Sequence, residues 1–351
     1  SGGDTDLVPW ALVGLNVAAM AAVGAVGGGL ARSSGRHAAW GLLFALWPGF
    51  AYSLSMNTSE LVASTFVLGG LLAARHRRWV PTAALLSAAA MTRDTTIVVA
   101  AGLAAAGAWT WLTSLTTGPG ARSRAAADPS DSTPSDSTSN DSSTHSSTDS
   151  STDSSTDSSN DSGGLALVAT GAVAIVVFAM WQLLQRARFG ELPLTSSGDN
   201  NLSAPLSGLV DQLGEVLPPS GSAEALRLVC MIGLVALTAA AAWAIRTTSA
   251  SATATGVEAS AAGPHPRPPA PTSLGEQAAW CLALGVVVVL NAYLWSGATA
   301  FMRATTEMGL LSTLVIVGAR HRHAQRVALV SGVGLVGLWL LTVVAQLSKL
   351  G

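Results

Sequence analysis

Charge is scarce in this sequence. Of 351 residues, 11 % are charged and 49 % are hydrophobic, with a mean hydropathy of +0.45. A soluble domain carries about 25 % charged residues. The shortage excludes an ordinary water-soluble globular domain and points to a polytopic membrane protein. Lysine is almost missing: Lys349 is the single one, so the basic residues are arginines. Cysteine is limited to Cys230 and Cys281, each inside an apolar run. Two such residues make neither a disulfide framework nor a metal site, and they read as small buried hydrophobes. No Gly-rich phosphate loop follows a strand. The glycines of "VGAVGGGLA" (23–31) fall within an apolar helix, where small residues permit close packing. The net charge of −2 says nothing about nucleic acid, and no nucleic-acid partner is expected. No Met and no signal peptide precede the first apolar run; the sequence opens on Ser1. The chain is therefore expected to be a fragment whose N-terminal part is missing.

What is present is a series of ten apolar runs, at 7–31, 38–56, 59–74, 79–92, 96–115, 164–184, 224–246, 277–296, 304–319 and 327–347. A spanning helix needs about 20 residues, so the third, fourth and ninth runs are short. Residues 79–115 cannot form one straight helix. At about 1.5 Å per residue it would be roughly 55 Å long, against a hydrocarbon core of about 30 Å. Arg93-Asp94 is the polar place at which to break it. The expected fold class is an all-α integral membrane bundle of about ten transmembrane helices with two disordered loops.

Arginine placement orients the chain. With the N-terminus outside, the cytoplasmic loops hold Arg32, Arg36, Arg75, Arg77, Arg78, Arg122, Arg124, Arg246, Arg267, Arg320, Arg322 and Arg326. The other side holds Arg93, Arg186, Arg188, Arg227, Arg303 and Lys349. Twelve against six favours this orientation. Two short helices with an outer turn at Arg93 supply the even number of crossings it needs. Trp10, Trp40, Trp79, Trp109, Trp111, Trp181, Trp243, Trp280 and Trp295 lie near run ends, as an interfacial belt would. The expected location is the cytoplasmic (inner) membrane, multi-pass, with membrane lipid as a partner.

The organisation follows. Helices occupy 1–115. A Ser/Thr/Asp-rich loop fills 116–163, with "SSTHSSTDSSTDSSTDSSNDSGG" unable to bury a core. Helices with an outer loop at 185–223 occupy 164–246, a Pro/Ala/Ser-rich loop 247–276, and helices 277–351. The Ser/Thr/Asp loop reads as a tolerated expansion; a phosphorylated or cation-binding tract is the other reading. All six histidines fall in basic or disordered loops on the cytoplasmic side, so no metal site is expected from them. A divalent cation is admitted as a cofactor without an assigned ligand set.

The outer side collects the unusual residues: Glu60, Arg93 with Asp94, the loop around Asp199, and Arg303 with Glu307. Charges at membrane depth are costly and face a cavity or each other. Arg303 and Glu307 are four apart, on one face if helical. Each point also has a plain reading. Glu60 caps the next helix, with Asn57 or Thr58 as N-cap; Arg93 pairs with Asp94 or a helix C-terminus; Arg303 and Glu307 form an internal salt bridge; Asp199 sits on a surface loop.

"ALWPGFAYSLSMNTSELVASTFVLGGLLAARHRRWVPTAALLSAAAMTRDTT" resembles the bacterial members of the GT-C superfamily of membrane glycosyltransferases, the mannosyltransferase-like, polyprenyl-phosphate-sugar-dependent type. In them a helix ends near a Pro, a Glu opens the next helix, a basic turn follows, and the next helix ends in a "TR"-type motif. Here those positions are Pro48, Glu60, Arg75–Arg78 and Thr92-Arg93. "RFGELPLTSSGDNNLSAPLSGL" and "AFMRATTEMGLL" resemble the same group's outer loop and late Arg-bearing helix. The resemblance implies sugar transfer, on the extracytoplasmic side, from a polyprenyl-phosphate-linked donor to a glycan, lipid or protein acceptor. Arg93 and Arg303 would hold the phosphate, which guanidinium matches bidentately. Glu60 would orient groups, and a carboxylate would serve as base. The superfamily's catalytic acid lies in the first outer loop, whose tail "SGGDTDLVPWALVGLN" resembles; Asp4 and Asp6 are weak candidates for it, and the base is expected in a missing segment. Two other classes compete: a transporter or flippase of a lipid-linked substrate, and a non-catalytic or decayed membrane protein.

Overall fold

The computed structural model describes residues 7–56, 58–116, 158–190, 192, 202–255, 272–319 and 323–347. The described chain is predominantly helical, with one isolated antiparallel bridge between Leu202 and Leu290. Five described helices are long and apolar enough to cross a membrane: Trp10–Ser33, Asp94–Thr116, Gly163–Phe189, Ser222–Thr248 and Ala324–Leu347. A bent pair, Ala298–Ala304 with Thr306–Gly318, makes up to a sixth. This is an all-α membrane protein, with fewer candidate spans than apolar runs.

Four breaks interrupt the apolar sequence among the described residues. The run 38–56 becomes a 3-10 turn (Ala38–Gly41) and two short helices, α2 (Leu42–Ala45) and α3 (Pro48–Met56), after α1 (Leu7–Ser33). Pro48 lacks the N–H that would continue the helix and instead opens the next one. Residues 79–116 divide into α5 (Trp79–Thr92) and α6 (Ile97–Thr116), preceded by α4 (Glu60–Arg75). Arg93 lies between them in extended conformation, φ −153° and ψ 122°. The break thus falls where the span is too long for a bilayer and the chain is polar. After α7 (Ser158–Phe189), α8 (Ser207–Val216) and α9 (Ser222–Thr255), the run 277–296 divides into α10 (Leu274–Val288) and α11 (Ala292–Trp295). Here Leu290 leaves the helix to pair with Leu202, and the Asn291 side chain caps α11 by accepting from the Leu294 N–H at 3.1 Å. The run 304–319 is the second arm of the bent pair: α12 (Ala298–Ala304) meets α13 (Thr306–Gly318) at 57° across Thr305. The chain continues in α14 (Ala324–Leu347).

α13 is the central pillar. All its residues from Thr306 to Gly318 are buried. A helix that is apolar on every side belongs inside, away from solvent and lipid alike. Its few polar groups are answered locally: Trp280 Nε1 donates to Ser312 Oγ at 2.9 Å, and Thr313 Oγ1 to Gly309 O at 2.9 Å. Trp280 and Trp295 are accordingly buried, and do not belong to an interfacial belt; Trp10, Trp109 and Trp111 are exposed. Cys230 is buried as its run suggests, but Cys281 is exposed on α10. The small residues of α1 do permit close approach: a Cβ on Gly27 would meet the Phe44 ring at 2.6 Å.

The bundle has two distinguishable ends. α1 and α4 run in the same direction, because Thr65 bonds Ala19 O and Arg75 bonds Leu30 O. At the Arg75 end, Arg75 makes a two-pronged pair with Glu276 (2.6 and 2.9 Å) and donates to Ser33 and Ser34. Glu276 also completes a capping box with Ser273 at the start of α10. Arg36 donates to Val317 O and Ala319 O, satisfying carbonyls at the C-terminal end of α13. Glu60 lies 15 residues up α4 from Arg75, about 22 Å along the axis.

Candidate functional site

Four charged side chains meet at the Glu60 end: Glu60 from α4, Arg93 from the α5–α6 break, Arg303 from α12 and Glu307 from α13. They come from four separate segments, Arg303 lying 247 residues from the neighbouring Met56, and the breaks bring them together. Arg303 Nε and Nη2 both address Glu60 Oε1, at 2.8 and 2.7 Å. The other carboxylate oxygen accepts from Ser53 Oγ at 3.2 Å. Arg93 Nε lies 3.3 Å from Glu307 Oε1 and 2.9 Å from Thr95 Oγ1. Arg93 Nη2 donates to the Arg303 carbonyl at 2.5 Å. Two arginines and two glutamates leave this core electrically balanced, as charge withdrawn from water requires.

The two breaks explain one another. Bending the chain at Thr305 frees a carbonyl at the end of α12. Within a membrane such a group must find a donor inside the protein. Thr306 Oγ1 donates to it from the far side of the bend at 2.8 Å, and Arg93, itself on a break, supplies a second, charged donor. A single guanidinium therefore staples the α5–α6 break to the α12–α13 break. It also neutralises Glu307 at the start of α13, where a carboxylate favours the helix dipole.

This geometry corrects two of the plain readings and decides between the alternatives of a third. Arg303 and Glu307 do not share one helix face, because the helix bends between them; Arg303 turns to Glu60 and Glu307 to Arg93. Of the two readings of Arg93, the helix C-terminus is the one found, through the Arg303 carbonyl at the end of α12; the Asp94 carboxylate instead accepts from the Thr95 N–H at 2.9 Å, and Asp94 is exposed. Glu60 is in the first turn of α4, but Ser59 holds the N-cap position and makes no side-chain cap bond. Asn57, proposed as a cap, and Asp4, Asp6 and Asp199, proposed for the site, lie outside the described residues.

The two arginines are unequal. The Arg93 side chain is 12 % exposed and that of Arg303 is 29 % exposed. Arg303 Nη1 meets only the Met56 thioether at 3.4 Å, a weak acceptor. Arg93 Nη1 is buried without a hydrogen-bond partner, 3.9 Å from Glu60 Oε1. A buried unmet donor normally costs free energy. Ser53, Met56 and Thr95 were not legible as site residues. Ser53 is seven residues before Glu60, on another helix, and its only signal was a polar residue in an apolar run.

Among the described residues no group of three His, Cys, Asp or Glu could hold a metal ion. Comparisons of the chain with protein-family models, curated proteins and solved structures find no match.

Proposed function

We propose that the chain is the membrane body of a GT-C-type glycosyltransferase that uses a polyprenyl-phosphate-linked sugar, and that Arg303 receives the donor phosphate. The observation that carries this is Arg303 itself. It stands at one end of an apolar bundle, partly exposed, with one guanidinium nitrogen free of any oxygen acceptor among the described residues. An anionic headgroup joined to a long hydrocarbon tail is the ligand whose two halves match that position. The residues that carry the family resemblance, Glu60, Arg93 and Arg303, are also the ones that converge.

In this reading the acceptor hydroxyl attacks the anomeric carbon, the bond to the phosphate oxygen breaks, and polyprenyl phosphate leaves with the electron pair. Arg303 stabilises that leaving charge. A carboxylate takes the hydroxyl proton; Asp4 and Asp6 stay its candidates. Arg93 frames the site. In this reading the Glu60 end faces outward from the cytoplasmic membrane, the side that the arginine count favours. The test is sugar transfer by membranes carrying the full-length gene product, with polyprenyl-phosphate mannose and polyprenyl-phosphate arabinose as donors. Arg303→Ala should lower transfer by about a hundredfold or more, the usual scale for one charge-stabilising group, with expression unchanged. Equal transfer by the variant would sink the assignment.

The transporter reading gains one observation. Discontinuous helices surround the charged cluster, as in carriers whose sites lie between half-helices. Proteoliposomes separate the two: a carrier moves a labelled lipid-linked sugar between leaflets and forms no product.

A further inference from the structure

We propose that Glu60 is handed between two arginines: Arg303 holds it in the arrangement seen here, and Arg93 takes it when a lipid phosphate draws Arg303 away. The inference rests on the reading of Arg303 as the phosphate group's partner and adds how that arginine is released. Three features carry it. Glu60 is fixed from its own side: it is buried, on the first turn of α4, and its second oxygen accepts from buried Ser53. It therefore stays when Arg303 leaves. Arg303 is the more exposed partner, on the short helix α12 beside the bend. The third feature is the unmet donor. Arg93 Nη1 is buried, bonded to nothing, and stands 3.9 Å from the same Oε1 that Arg303 occupies at 2.7 Å.

The physical need is plain. Pulling Arg303 from Glu60 would strand a buried carboxylate, which is strongly unfavourable. An approach of less than an ångström or so brings Arg93 Nη1 within ordinary hydrogen-bond range. Its attraction to Glu60 then offsets the lost pair. Arg93 keeps Glu307 through Nε meanwhile. The same guanidinium holds the Arg303 carbonyl, so the exchange is linked to the bend at Thr305. Glu60 thus acts as a competitor for Arg303 as well as a partner, and Arg93 as a positioning residue that makes the competition affordable.

A double-mutant cycle tests the exchange. The probe is polyprenyl monophosphate in phosphatidylcholine nanodiscs, with binding read by native mass spectrometry and folding by thermal unfolding. Glu60→Gln removes the competing charge and should tighten probe binding about tenfold. Arg93→Lys keeps a point charge for Glu307 but cannot also reach Glu60 and the Arg303 carbonyl. It should weaken binding about tenfold in the wild-type background and by less than about twofold alongside Glu60→Gln. Equal losses in both backgrounds, or weaker binding by Glu60→Gln, would overturn the hand-over. Arg303→Ala is read separately: unchanged probe binding there would sink the phosphate assignment itself. Inorganic phosphate at the probe's concentration should not compete; equal competition would overturn the lipid as ligand. Glu60→Ala substitutes if Glu60→Gln does not fold. Failure of both to fold counts against the proposal, because an exchangeable carboxylate should not be indispensable to the frame.

Discussion

At the scale of single residues, Arg93 bears the greatest strain of function on one side chain. It answers a carboxylate, a hydroxyl and a carbonyl from three different segments. Replacing it by Ala leaves Glu307 charged and buried and removes one of two side-chain donors to the Arg303 carbonyl, Thr306 Oγ1 being the other. Breaking one side of a buried pair costs about 3–5 kcal/mol. A clear fall in unfolding temperature in detergent is the expected outcome. Arg93→Met combined with Glu307→Gln removes both charges and should recover most of the loss. A double variant as unstable as Arg93→Ala would show that the carbonyl bond, and not the ion pair, carries the cost.

Helices here are held by approach as much as by charge. At Gly102 of α6, a Cβ would stand 2.4 Å from the Ala279 Cα of α10. No side chain fits without parting the two helices. Gly102→Leu should therefore destabilise by at least the roughly 1–3 kcal/mol typical of overpacking. Gly334 on α14 meets nothing within 4 Å. Gly334→Leu points to the outer surface of the bundle and should be tolerated, with a small gain from helix propensity. Similar thermal stability of the two variants would contradict the packing of α6 on α10. At the other end, Arg75 with Glu276 ties α1, α4 and α10 together through a pair whose side chains are 6 % and 1 % exposed. Arg75→Ala should cost more stability than Arg36→Ala, since Arg36 caps backbone carbonyls and answers no buried charge.

For the whole molecule, the two charged ends give a topology that can be measured. After Cys230 and Cys281 are replaced by Ser, single cysteines at Asp94 and Arg77 report opposite faces. Both positions are exposed. The Asp94→Cys protein should react with an impermeant maleimide on intact cells, and the Arg77→Cys protein only after the membrane is opened. Labelling of both from outside would overturn the orientation drawn from arginine placement. A reversed pattern would put the Glu60 cluster in the cytoplasm and end the extracytoplasmic transfer reading.

The sequence by itself determined the class of molecule and one of its breaks. Hydropathy and scarce charge are summed over many residues, so they specify membrane helices without knowledge of contacts. The break at Arg93 followed from length and polarity together, because residues 79–115 outrun a bilayer and Arg93-Asp94 is their charged point. The same logic, applied run by run, could not see the breaks at Pro48, Leu290 and Thr305. Those depend on what the chain meets: the start of a new helix, a bridge to Leu202, and a carbonyl that Arg93 can answer. The sequence also marked Glu60, Arg93, Arg303 and Glu307, because isolated charges in apolar surroundings are costly wherever they fold. Only the tertiary structure decided who pairs with whom. Spacing placed Arg303 with Glu307 and Arg93 with Asp94. A 57° bend and an extended residue re-aimed all four, since an ion pair is set by where side chains converge in space and not by their separation along the chain.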